Sequence, residues 1–100
     1  MIRHIVLFQL ASTDPAERAE QFAESRRRVR ALVGVVPGVR ELDVHANALD
    51  DDRNADIAIV GDFDDLAAVE AYATHPAHVE VIEYIASIRT DVRAAIDFEV

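Results

Sequence analysis

IRHIVLFQL, residues 2–10, places β-branched, aliphatic and aromatic side chains in near-continuous succession, broken only by Arg3, His4 and Gln9. The composition predicts a β-strand, in which successive side chains point to opposite faces. Ile2, His4, Val6 and Phe8 then share one face, and Ile5 and Leu7 share the other. Apolar residues on both faces mean that this strand needs cover on both sides. A single layer of helices supplies only one of them.

Working outward, Asp14, Pro15 and Glu17 form a helix start: an N-cap, a proline at the first helical position and a capping-box-like spacing. Ala19, Phe22, Val29, Val33 and Val36 carry the helical stripe, Arg26 interrupts it, and Pro37–Gly38 ends it. A second strand is predicted over about Val39 to Ala46. NALDDDRN (47–54) reads as a turn and ADIAIVGDF (55–63) as a third strand. Asp64 is the expected cap of a short helix bearing Leu66, Val69 and Tyr72. Pro76 forces His75 out of the helical region. A new helix from about Ala77 then presents His78, Val81, Ile82, Ile85 and Ile88, and RAAIDFEV (93–100) closes the chain as a strand. The order β-α-β-β-α-α-β, without linker or repeat, predicts one domain over residues 1–100. Its expected class is α+β, a ferredoxin-like antiparallel sheet with helices on one face. An identical chain related by two-fold symmetry is the simplest cover for the other face, so a homodimer closing as a dimeric α/β barrel is expected.

Composition narrows the function. The chain has 100 residues, 51% of them hydrophobic, with a net charge of −9. That charge disfavours nucleic acid and anionic membrane as partners. The sequence has no cysteine, which removes thiol nucleophiles and zinc–thiolate sites and fits a reducing cytoplasm. The N-terminal apolar run is too short for a membrane span and lacks a signal-peptide cleavage pattern. No phosphate-binding glycine motif, serine elbow or nucleotide fingerprint occurs. Glu20 and Glu24 precede Arg27 and Arg28 by about one turn, so RRRVR reads as intrahelical ion pairs.

AYATHPAHVE (71–80) gathers Tyr72, His75 and His78 around Pro76. Helical spacing turns His78 toward the sheet beside Ile82, and Tyr72 follows Leu66 and Val69 by threes. With His4 on the helix-covered face of the first strand, the three can meet in one pocket. Its expected lining is Val6, Phe8, Val29, Val33 and Ile82, with Arg26 and His75 counted among the lining residues. Neutral imidazole accepts a proton near pH 7, and a phenol donates to a carbonyl oxygen. Together they suit removal of a proton beside a carbonyl, with the phenol steadying the enolate; no cofactor is required. The expected ligand is a small organic molecule, such as a keto compound. The same residues also suit packing and capping, with His75 fitting a turn before Pro76. His45 reads as a surface residue. A transition metal is not expected, because the helix break spoils the His75–His78 spacing. Magnesium or calcium on backbone carbonyls near residues 33–36 stays open.

IRHIVLFQL, VVPGVRELDV (35–44), ADIAIVGDFDDLAAVEAYATHPAHVEV (55–81) and IDFEV (96–100) together resemble the stress-responsive A/B barrel (Dabb) family. The Tyr-x-x-His-Pro-x-His string is the most specific element of the likeness. The resemblance implies a dimeric α/β barrel. Some of its members are similar to plant polyketide cyclases, which close a linear polyketide by aldol chemistry without a cofactor. Carried over by position, Tyr72 becomes the donor, His78 the base and His4 a pocket partner. Where such a pocket would hold bulky aromatics on the first helix, this chain has Ser25, Arg26 and Val29, which leaves a long alkyl tail poorly housed. Two further functions stay open: a non-catalytic stress-response dimer or ligand carrier, and a cofactor-independent monooxygenase-like enzyme.

Overall fold

The computed structural model describes residues 1–100. Its elements are β1 (Ile2–Leu10), α1 (Pro15–Arg30), β2 (Val39–Ala46), β3 (Ile57–Phe63), α2 (Leu66–Thr74), α3 (Pro76–Ile88) and β4 (Arg89–Glu99). The strands form one antiparallel sheet in the order β2-β3-β1-β4. β1 lies inside the sheet, paired with β3 on one side and β4 on the other. The expected α+β ferredoxin-like class is therefore the observed one.

The two faces of β1 divide as its alternation requires. Ile2, Val6, Phe8 and Leu10 are buried with Leu42, Val44, Ile57, Ile59 and Phe63 under the helices. On α1, Ser25 and Val29 are fully buried one turn apart. Burying a side chain such as Phe8 contributes about 1.5–3 kcal/mol, so this layer carries most of the stabilisation. On the opposite face, register aligns Ile5 with Ile96 and Val60, and Arg3 with Phe98 and Asp62. There Leu7, Ile96 and Phe98 are 39%, 59% and 38% exposed. Arg3 and Asp62 make a forked ion pair of 2.9 and 3.1 Å across this face.

Several boundaries differ from the sequence expectation, each for a local reason. α1 ends at Arg30, well before Pro37. Beyond it the amides of Leu32, Val33 and Val35 bond to carbonyls three residues back, and Gly34 adopts a φ of +85°. A run of valines broken by glycine is a poor helix former, and the tighter turns take over. They bury Leu32 and Val36 and leave Val33 41% exposed. The cap of α2 is Asp65, whose carboxylate accepts from the Ala68 N–H at 2.8 Å, while Asp64 pairs with Arg40. β4 begins at Arg89, earlier than expected, because its pairing with β1 continues to Leu10↔Arg89. Gly38, between α1 and β2, has a φ of +82°, and a Cβ there would lie 2.6 Å from the Cβ of Ala68. Only glycine allows that approach to α2.

Candidate functional site

The α2–α3 joint sets the site. His75 ends α2 and caps α3: its Nδ1 accepts the Ala77 N–H at 3.1 Å, and Pro76 occupies the first turn. An Asn or Asp would do the same work at this position. The resulting bend brings Tyr72, in the last turn of α2, against His78, in the first turns of α3. Their rings stack with centroids 3.7 Å apart and an interplanar angle of 23°. The His78 Nδ1–H donates to the Tyr72 carbonyl at 2.8 Å. Because a carbonyl oxygen only accepts, this bond fixes the neutral tautomer and makes Nε2 the basic atom.

Burial shifts the two groups in opposite directions. Burial pushes the Tyr72 phenol well above its ordinary value of 10, so it remains a donor throughout the neutral range. His78 is half-buried, and desolvation lowers its pKa below the ordinary 6.5. The hydrogen bond to the Tyr72 carbonyl opposes that shift, and the nearby His4 and Arg93 reinforce it. Neutral His78 is accordingly the dominant form at pH 7.

His4 meets this pair from the sheet. Its ring is 6.1 Å from Tyr72 and 5.9 Å from Phe63, edge-on to both. Phe63 meets Tyr72 edge-on at 4.9 Å. Nδ1 of His4 donates to Asp97, its register partner on β4, at 2.5 Å. The carboxylate thereby orients the imidazole. His4 also faces Gly61 on β3.

His4, Tyr72 and His78 border one cavity of about 390 Å³. Val6, Phe8, Val29, Ile59, Val81 and Ile85 supply much of its apolar wall, Ile82 also lines it, and Arg89 and Arg93 enter from β4. A larger groove of about 750 Å³ runs beside the 47–54 turn, lined by several aspartates and asparagines. Arg18 and the Leu10 N–H already engage Asp56 there. An apolar cavity with a few convergent polar groups is the better candidate site.

Three residues expected in the lining lie elsewhere. Arg26 turns away from the cavity and forms a forked ion pair with Asp43 on the edge strand β2, at 2.9 and 3.2 Å. That guanidinium, with the Val44 N–H, holds the Asp43 carboxyl down at about 2. Val33 is rotated outward by the tight turns after Arg30. His75 is occupied as the α3 cap. Asp97, Arg89 and Arg93 were not anticipated. For Arg93 and Asp97 the alternation of RAAIDFEV holds the signal, since Arg93, Asp97 and Glu99 fall on one face and Ile96 and Phe98 on the other; Arg89 lies before that stretch. No group of three or more His, Asp or Glu side chains gathers into a metal-holding cluster.

The geometry defines a ferredoxin-like α+β domain with a ligand-sized cavity between its helices and sheet. The chain belongs to the stress-responsive A/B barrel domain family (Dabb), whose model matches residues 2–100. It is similar to a dimeric protein of ferredoxin-like fold from Bacteroides fragilis NCTC 9343. The two are 31% identical over 99% of this chain and 95% of that one, with a TM-score of 0.86. A dimeric ferredoxin-like protein from Thermobifida fusca is 29% identical over 99% and 90%, with a TM-score of 0.78. A hydroxynitrile lyase from Passiflora edulis shares the fold at 14% identity over 99% and 92%, with a TM-score of 0.75. No curated protein matches the sequence. No helix is long and apolar enough to cross a membrane.

Proposed function

We propose that this protein is a homodimer whose subunits each bind a small keto compound and catalyse cyclase-like carbon-acid chemistry. The observation that carries the reading is the Tyr72–His78 stack at the cavity wall, with His78 Nδ1 tied to a carbonyl and Nε2 left as the base. In this reading Nε2 takes the proton from the carbon beside a carbonyl, and the electron pair moves onto the carbonyl oxygen. The Tyr72 hydroxyl donates a hydrogen bond to that oxygen. The resulting enolate carbon attacks a second carbonyl of the same molecule, closing the ring, and the proton held by His78 neutralises the new alkoxide. A positioned general base contributes about 10²–10⁴-fold in such a step. The sequence's lack of cysteine fits work in a reducing compartment such as the cytoplasm.

The open face supports the dimer. Ile5, Leu7, Ile96 and Phe98 leave apolar surface that an equivalent sheet would cover. The Bacteroides and Thermobifida relatives are dimers.

The test of the chemistry is α-proton exchange. A slowly exchanging β-keto ester is incubated in D₂O with the protein, and loss of its α-proton signal is followed by NMR. Catalysed exchange that disappears in His78→Ala is the expected result. Exchange at the buffer rate, or unchanged in that variant, overturns the assignment. A second reading has its own support: the Nδ1–carbonyl bond and ring stack would also brace the α2–α3 joint of a non-catalytic ligand carrier. On that reading His78→Ala lowers Tm and has no catalysed exchange to remove.

A further inference from the structure

We propose that the cavity takes a small carboxylic acid in its anionic form, an apolar body lying against Phe8, Val29 and Ile85 and its carboxylate held by Arg93. This deepens the ligand class of the cavity described above and rests on that cavity being a binding site, but not on His78 acting as a base.

This chain spends most of its cations on its own carboxylates. It has 19 acidic residues and 10 basic ones, so carboxylate partners are plentiful. Every arginine except Arg30, Arg89 and Arg93 forms an ion pair with one of them. Two of the three exceptions, Arg89 and Arg93, border the same cavity. They reach it from either side of the register irregularity that separates the Phe8↔Arg93 and Leu10↔Arg89 pairs of β1 and β4. Arg89 spends one N–H on the Thr90 carbonyl at 2.9 Å. Arg93 has no carboxylate within ion-pair distance and is the more available anchor.

The lining contains two guanidinium groups, Arg89 and Arg93, beside the imidazoles of His4 and His78, and no carboxylate. Asp97 lies nearby but is engaged by His4. In a protein of net charge −9 this is a local inversion of sign, and low-dielectric walls strengthen the field it makes. A planar guanidinium matches a carboxylate as a two-pronged donor. The downward push of the Arg93 charge on His78 agrees with a cation that faces the cavity interior. The apolar walls require the rest of the ligand to be hydrocarbon-rich.

The probes are octanoate and its neutral analogue octanamide, titrated into the intact protein by calorimetry. Octanoate is expected to bind at least about tenfold more tightly, the scale of a hydrogen bond to a charged group. Arg93→Gln should bring the two affinities together, while Arg93→Lys, which keeps the charge, should retain a reduced preference. Equal affinities in the wild type overturn the proposal. So does a preference that survives Arg93→Gln, or failure of octanoate to bind saturably. The α-proton exchange assay judges His78 separately, so the anion site and the base assignment stand or fall on different measurements.

Discussion

The imidazole of His78 lies over the ring of Tyr72 while its own Nδ1–H bonds to the Tyr72 backbone carbonyl. One residue thus presents both its ring and its main chain to the other. The arrangement makes the proposed base and donor a single unit whose geometry depends on the bend at His75–Pro76. Tyr72→Phe removes only the hydroxyl and keeps the stack. It is expected to lower the rate of α-proton exchange by about 10²–10³-fold, as loss of a positioned oxyanion donor does, with little change in Tm. A rate within a few-fold of wild type would remove Tyr72 from the mechanism.

The lowered pKa of His78 fixes the pH dependence. The base form is neutral, so activity should be flat at neutral pH and fall on the acid side with a midpoint below 6.5. Stability carries the same sign. The unfolded chain binds the proton first, so the contribution of His78 is fully present above 6.5. It is lost progressively as pH falls through the depressed folded value. NMR titration of the His78 ring gives the midpoint directly; one above 6.5 contradicts the burial argument. The charged groups facing the ring are His4 and Arg93.

The cap at the joint can be tested apart from the chemistry. His75→Ala removes the acceptor of the Ala77 N–H and should destabilise the protein by about 1 kcal/mol, while His75→Asn should recover most of it. Denaturant unfolding measures both. Equal stability for wild type and His75→Ala would mean that the cap contributes nothing.

Gly38 is the tightest backbone approach to α2. Gly38→Ala places a methyl group against Ala68 in a backbone conformation that alanine resists, at an expected cost of about 1–3 kcal/mol. Gly34, also at positive φ but with open space around it, should tolerate alanine better, at a cost of about 1 kcal/mol. Reversal of that order in thermal melts would show that contact with Ala68 is not the controlling factor.

The proposed dimer has its own measurement. Ile5→Asp puts a carboxylate in the middle of the open sheet face, beside Ile96. Removing such a charge from water costs several kcal/mol per ion, incurred twice in a symmetric pair. Light scattering on the purified variant should report a monomer where wild type gives twice the chain mass. A wild-type monomer, or a variant dimer, would place the interface elsewhere.

Local stereochemistry made much of this protein legible in its sequence. Period-two alternation divided β1 into two apolar faces, Asp14–Pro15 started α1, and Pro76 broke the chain between α2 and α3; each depends on residues within a few positions. His4, Tyr72 and His78 could be brought together because periodicity alone gives the direction of a side chain. Where sequence expectation and structure differ, neighbouring candidates compete. Asp64 and Asp65 both suit a cap, and the valines after Arg30 suit a helix until Gly34 and the three-residue turns redirect them.

What only the tertiary structure decided lies at long range. His4 finds Asp97 across 93 residues because β4 pairs with β1 in one register, and a slip of one residue would turn Arg93 and Asp97 to the other face. Arg26 leaves the cavity because the edge strand offers it Asp43. The sequence determined which side chains each element presents and on which face. The pairing of elements far apart in the chain, settled by the packing of the whole core, decided which charges those side chains meet.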